Sequence, residues 1–225
     1  FGAMLVGHLN PVVVQRVTEA LQNTGTPFVT PSPHATDIAE RFQRRFGLDM
    51  LRFTNSGTES LMYAIRTARA VTRRKAIVKI EGGYHGGYDP LQISVKPSLD
   101  EIGPADAPTP QIPFEVEAGT VYVVPYNDLD RLNAVLAEHG DEIACLVIEP
   151  VLENLSIVLP DDGYLAAVRE TCTAHGVLLI FDEVKTGLTA GYAGAAQRLG
   201  VKPDLVTLSK SIGGGLPLAA FGGTA

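Results

Sequence analysis

The sequence has no tryptophan and only two cysteines. Two thiols cannot make the dense cross-linking of a small secreted scaffold. Cys145 falls inside a strand-like run and Cys172 on the apolar stripe of a helical segment, so both read as small buried hydrophobes rather than as a disulfide or metal pair. Long hydrophobic runs are missing too. The longest are short stretches such as "VLLIF" at 177–181, far below the roughly 20 residues of a membrane-spanning helix. The first residues do not show the charged-then-apolar layout of a secretory signal, and the expectation is a cytoplasmic protein. Positive charge is scarce: 18 Lys and Arg stand against 25 Asp and Glu, a formal net charge of −7. The few basic clusters (Arg41, Arg44, Arg45; Arg69, Arg73, Arg74) fall at helical spacing, which argues against a nucleic-acid partner. Neither G-x-x-x-x-G-K-[ST] nor G-x-G-x-x-G occurs, so a P-loop and a dinucleotide fingerprint are excluded.

What is present is an alternation of helical and strand-like segments. The 45% of hydrophobic residues suffice for one large domain or two small ones. "NPVVVQRVTEALQNTG" offers Asn10 as cap, Pro11 at the first helical position and Gly25 as stop. "TDIAERFQRRFG" predicts a helix from Thr36 to Gly47 that buries Ile38, Ala39, Phe42 and Phe46. The short β-branched runs "AIVKI", "TVYVVP", "ACLVIEP", "VLLIFDE" and "DLVTLS" predict buried parallel strands. Amphipathic helices lie between the later ones, with Leu129, Leu132 and Leu136 in one and Leu165, Val168 and Cys172 in the next. The pattern implies a doubly wound α/β fold: a mostly parallel sheet with helices on both faces. Residues 96–119, rich in proline and acid, read as one long loop, either a lid or a disordered stretch.

Parallel sheets gather chemistry at the carboxyl ends of their strands. Three ends carry reactive side chains: Glu149 after "LVI", Asp182 and Glu183 after "LLIF", and Ser209 and Lys210 after "LVTL", with Gly213, Gly214 and Gly215 close behind the lysine. Each carboxylate alone could be a helix cap or half of a salt bridge, and the lysine alone could snorkel to solvent. In "FTNSGTES", Ser56, Gly57 and Thr58 open a helix whose buried stripe is Leu61, Ile65 and Ala68. With Glu59 they make either an ordinary capping box or an anion site of backbone N–H groups, hydroxyls and helix dipole. Likewise "GYHGG" could be a turn plugged by an aromatic ring or a stacking platform. An anion site, a carboxylate and a lysine together suit pyridoxal 5'-phosphate, which needs a phosphate cradle, a partner for its ring nitrogen and an amine for its aldehyde.

The successive motifs "NSGTES", "EGGYHGGYD", "IEPVLEN", "LLIFDEVKTG" and "PDLVTLSKSIGGGLPLAAFGG" resemble those of the class III aminotransferases, near the branch that contains glutamate-1-semialdehyde 2,1-aminomutase. The resemblance runs through almost the whole chain. It implies the large cofactor-binding domain of a fold type I enzyme. It also implies that Lys210 forms the Schiff base, that Asp182 pairs with the pyridinium nitrogen, and that Val184 and Tyr84 lie on the two ring faces. Ser56, Gly57 and Thr58 would hold the phosphate, Asn154 would reach the ring hydroxyl, and His85 would support the cofactor from behind. The implied reaction is transfer of an amino group from a small-molecule donor to an oxo acid acceptor. Intramolecular transfer, as in the aminomutases, is the alternative, and a non-catalytic binding domain that keeps the fold is the alternative of another class. The family pattern further implies a homodimer with its active site at the interface, and makes residues 1–225 an incomplete large domain, without the family's N-terminal segment and small C-terminal domain. Two features depart from the pattern: Leu152 and Glu153 replace small residues, and Lys185 stands where the aminomutases usually carry methionine.

Overall fold

The structure, a computed structural model, describes residues 2–26, 32–98, 100, 102 and 120–224. Most of the expected lid at 96–119 lies outside the described residues. Among the described residues seven strands form one sheet: β1 (Met50–Thr54), β2 (Ala76–Ile80), β3 (Val121–Val124), β4 (Ile143–Ile148), β5 (Leu178–Asp182), β6 (Leu205–Leu208) and β7 (Ala219–Gly223), in the order β1-β7-β6-β5-β4-β2-β3. The five strands expected from β-branched runs, β2 to β6, pair with one another in parallel. The sheet is nonetheless mixed. β7 runs antiparallel to both β6 and β1, so it is the one reversed strand.

β7 escapes a propensity reading because its sequence is "AAFGG". Its glycines are required by crowding. A Cβ on Gly222 would lie 2.4 Å from the Met50 carbonyl oxygen, and one on Gly223 2.3 Å from that of Asp204, both far inside contact distance.

The helices are α1 (Pro11–Asn23), α2 (Pro33–Phe46), α3 (Gly57–Thr72), α4 (Leu129–His139), α5 (Tyr164–Ala174) and α6 (Gly194–Leu199). They cover both faces of the sheet. Val78, Ile80, Leu146, Ile148, Leu179, Phe181, Val206 and Leu208 pack with residues of α4 and α5 in one cluster. Ile77, Val147, Ile180 and Leu205 pack with Leu61, Ala64, Ile65 and Ala68 of α3 in the other, the period-two alternation of strands buried on both sides. Cys145 and Cys172 are free and buried within these layers.

Two helix boundaries differ from expectation. α2 begins at Pro33 behind Ser32 rather than at Thr36, because proline fits the first helical turn, and its Phe42 and Phe46 are only partly buried against the core. α1 stops at Asn23 with Thr24 as its cap, ahead of Gly25, and buries none of its residues.

Candidate active site

The parallel strands end along one edge of the sheet, and β1, which points the same way as β6, delivers the start of α3 to that edge. A cavity of about 260 Å³ opens there. Gly57, Thr58, Tyr84, His85, Glu149, Asp182, Val184, Ser209 and Lys210 line it, together with Gly86 and Lys185. The structure thus brings most of the expected site residues around one space. Ser56 and Asn154 are not in its lining.

At the start of α3 a capping arrangement is fully formed. Ser56 Oγ accepts the Glu59 N–H at 3.2 Å, and Glu59 Oε2 accepts the Asn55 N–H at 2.9 Å. The N–H groups of Gly57 and Thr58 find no partner among the described residues. They are donors at the positive end of a 16-residue helix, suited to an anion. Cap and anion site therefore coexist. Gly57 permits a tight approach: a Cβ there would stand 3.1 Å from Val184 Cγ2 and 3.5 Å from Ser209 Cβ.

Asp182, the last residue of β5, is buried. Its Oδ1 accepts the Val184 N–H at 3.0 Å and the Thr207 hydroxyl at 3.4 Å, and its Oδ2 faces His85 Nδ1 at 2.8 Å. Neighbouring Glu183 takes the bland role allowed for it. It accepts the N–H groups of Ala195 and Ala196 at 2.8 and 2.7 Å and the Thr186 hydroxyl at 2.6 Å, capping α6, while burial pushes its carboxyl upward.

Lys210 follows β6 in a short 3-10 turn with φ of 49°, a left-handed backbone rarely adopted by a side-chain-bearing residue. Burial lowers its ammonium pKa, Asp182 opposes this, and Lys185 lowers it further. Lysine is a better nucleophile when its proton is held weakly.

The loop after β2 presents Tyr84 and His85. Two buried groups hold it. Glu149 Oε1 accepts the Tyr84 N–H at 3.1 Å. Lys79, fully buried in the middle of an apolar strand, points its Nζ at the carbonyls of Gly83 (3.0 Å), Leu91 (3.5 Å) and Ile93. Its pKa falls to about 7, chiefly through burial, with Glu81 and Glu149 opposing.

Asn154 is turned to another use. Its Nδ2 donates to the carbonyls of Gly82 at 3.0 Å and Val95 at 3.3 Å, and it lines an outer cavity of about 440 Å³ with Tyr84, Gln92, Val95, Lys96, Lys185 and Lys210. Lys185, marked in the sequence as a departure from the family pattern, was given no place at the site there. It lines both cavities, and its Nζ lies 3.0 Å from Glu149 Oε2. Its place three residues beyond Asp182, at the same strand end, was a second signal.

The Aminotransferase class-III family model matches residues 1–225. A glutamate-1-semialdehyde 2,1-aminomutase from Anaeromyxobacter sp. (strain Fw109-5) is 43% identical, over 100% of this chain and 52% of its own length. An omega-transaminase from Sphaerobacter thermophilus superposes with a TM-score of 0.91 at 38% identity, over 100% of this chain and 52% of that one. A transaminase solved with PLP bound superposes with a TM-score of 0.90 at 34% identity, over 99% of this chain and 51% of that one. The chain spans about half the length of the curated relatives it matches.

Proposed function

Because the chain belongs to the class III aminotransferases, we propose that the protein carrying it transfers an amino group from a small-molecule donor to an oxo acceptor with pyridoxal 5'-phosphate. The observation that carries this reading is the convergence of Lys210, Asp182 and the free N–H groups of α3 on one cavity. The residues fit the cofactor in three respects. The first turn of α3 offers unpaired donors for a phosphate, Asp182 is a buried carboxylate already oriented by three donors, and Lys210 is a lysine whose proton is loosened.

On this reading residues 1–225 belong to the cofactor-binding large domain. Gly57 and Thr58 hold the phosphate, with Ser56 closing the turn. Asp182 holds the proton of the ring nitrogen as a charge-assisted pair. Val184 and Tyr84, both in the cavity wall, would flank the ring, and His85 orients Asp182. Asn154 fastens the Tyr84 loop through Gly82 and Val95, and its donors are spent there rather than on the ring hydroxyl. When bound, the cofactor supplies an aldehyde that condenses with amines and a cationic ring that accepts electron density. Lys210 would hold the cofactor through its amine, and that amine, when free, would take and return the proton at the substrate carbon as general base and acid.

The name of the Anaeromyxobacter relative supports a second reading, transfer within a single molecule. Apolar side chains left bare on and before α1, among them Leu5, Val6, Val12 and Leu21, support a homodimer that covers them. Among the described residues no helix is long and apolar enough to cross a membrane, in keeping with a cytoplasmic enzyme.

The test is a panel of amino donors added to the full-length protein while cofactor absorbance is followed. Conversion of the aldehyde form to the amine form, with release of an oxo product, is the expected result. An oxo product that never leaves the enzyme, with the isomerised amine appearing instead, selects the intramolecular reading. No spectral change with any donor, in protein that has bound the cofactor, overturns both.

A further inference from the structure

The outer cavity differs in charge from the inner one. Around the inner space two carboxylates, Glu149 and Asp182, stand with two lysines, Lys185 and Lys210. The outer lining has three lysines, Lys96, Lys185 and Lys210, and no carboxylate. Glu153, whose charge reaches Lys210, is absent from that lining.

Its hydrogen-bond inventory points the same way. Backbone takes up most of the amide donors: Asn154 Nδ2 serves both Gly82 and Val95, and one Gln92 Nε2 hydrogen serves Gly86. Lys185, only 7% exposed, gives one ammonium hydrogen to Glu149 and keeps two. Lys96, exposed at the rim, has no ion pair among the described residues. The charged donors left for a ligand are ammonium groups. Val95 and the Tyr84 ring supply the apolar remainder of the wall.

We propose that this outer cavity is a carboxylate subsite, in which Lys185 and Lys96 bind the acid end of a substrate whose amine reacts at Lys210. The inference rests on the transfer reading above and narrows its substrate class to amino acids and oxo acids over plain amines. Lys185 has a specificity-determining role through its position. It belongs to both cavities, so a substrate carboxylate at its Nζ lies beside Lys210 without displacing the anion at the start of α3. Glu149 holds Lys185 in place while its other oxygen holds the Tyr84 N–H, which ties the subsite to the ring-facing loop.

Two measurements on the full-length holoenzyme separate this proposal from the function it rests on. The first is calorimetric titration with glutarate, a dicarboxylate without an amine, so that no turnover is involved. Binding is expected in the parent protein. Lys96→Met is expected to weaken it about threefold, as for an exposed charge. The double variant Lys185→Met with Glu149→Gln is expected to weaken it about tenfold or more, as for a buried charge-assisted contact. The paired change leaves no lone buried charge and keeps an acceptor for the Tyr84 N–H. No glutarate binding by the parent, or equal binding by all three proteins, overturns the subsite.

The second measurement compares half-transamination of 4-aminobutyrate and butylamine, which differ by the carboxylate. The parent is expected to favour 4-aminobutyrate in kcat/KM, and both variants are expected to reduce that ratio. An unaltered ratio in both variants overturns the subsite. Failure of both donors with glutarate binding intact counts against the transfer reading and leaves the anion site standing on the calorimetry.

Discussion

His85 Nδ1 stands 2.8 Å from Asp182 Oδ2 with its ring wholly buried, and its Nε2 has no hydrogen-bond partner among the described residues. A carboxylate oxygen accepts, so Nδ1 is the donor in this contact. The imidazole is thereby committed to orienting Asp182. His85→Phe is expected to keep cofactor bound while lowering kcat by about 10- to 100-fold, the usual cost of removing a supporting partner. Restoration by Asn, which can donate from a similar place, would identify the hydrogen bond as the cause. Equal loss in the Phe and Asn variants would point to packing instead.

Asp182→Asn cannot hold a positive ring nitrogen by charge. Turnover is expected to fall by about three orders of magnitude or more while cofactor absorbance persists, shifted in wavelength. Near-normal kcat would reduce Asp182 to an anchor for His85, Thr207 and Val184.

Borohydride reduction of the holoenzyme followed by peptide mapping is expected to fix the pyridoxyl group on Lys210. The two neighbouring lysines are engaged elsewhere, Lys79 with three carbonyls and Lys185 with Glu149. A label on either of them would displace Lys210 from its assigned role.

Lys79 gives a pH signature. Folding lowers its pKa from 10.5 to about 7, so between those values the unfolded chain binds more protons than the folded one. Its contribution to stability is therefore fully present above pH 10.5 and is lost as pH falls through about 7. Relative to Lys79→Met, the parent protein should gain stability as pH rises from about 7 to 9, read from denaturant midpoints at each pH. A difference that does not vary with pH would mean that the buried ammonium keeps its ordinary proton affinity.

Gly86 tests the contact between the Tyr84 loop and α3. Its φ is 84°, and a Cβ there would lie 2.2 Å from Thr58 Oγ1 and 2.8 Å from Thr58 Cα. Gly86→Ala is expected to push the loop from the helix, costing about 1–3 kcal/mol and weakening cofactor binding. Unchanged affinity and stability would show that the two segments move apart freely.

The parts of the fold legible in the sequence are those whose reason is local. β2 to β6 are runs of β-branched residues buried on both faces, and α3 to α5 carry apolar stripes of helical period. β1 and β7 were not legible: β7 is a strand because its neighbours leave room only for glycine and alanine, a tertiary reason. α6 was missed because its N-terminus is capped from a distance by Glu183. At the site, residue types at strand ends were enough to pick out Lys210, Asp182 and the start of α3. The employment of Lys79, Asn154 and Lys185 depends on loops folding back over the sheet edge, which no spacing encodes.

β7 also acts as a ruler. Thr54 at the end of β1 pairs with its Ala219, and Leu208 at the end of β6 pairs with its Ala220. The segment that opens α3 and the segment that carries Lys210 thus leave the sheet with one strand between them, two inter-strand spacings or about 9.5 Å apart. Hydrogen bonds of the ladder set that interval between the two backbone exits. A ligand that brings an anion to the first station and an electrophilic carbon to the second meets anchor points spaced by backbone geometry, and the Lys210 stem spans what remains.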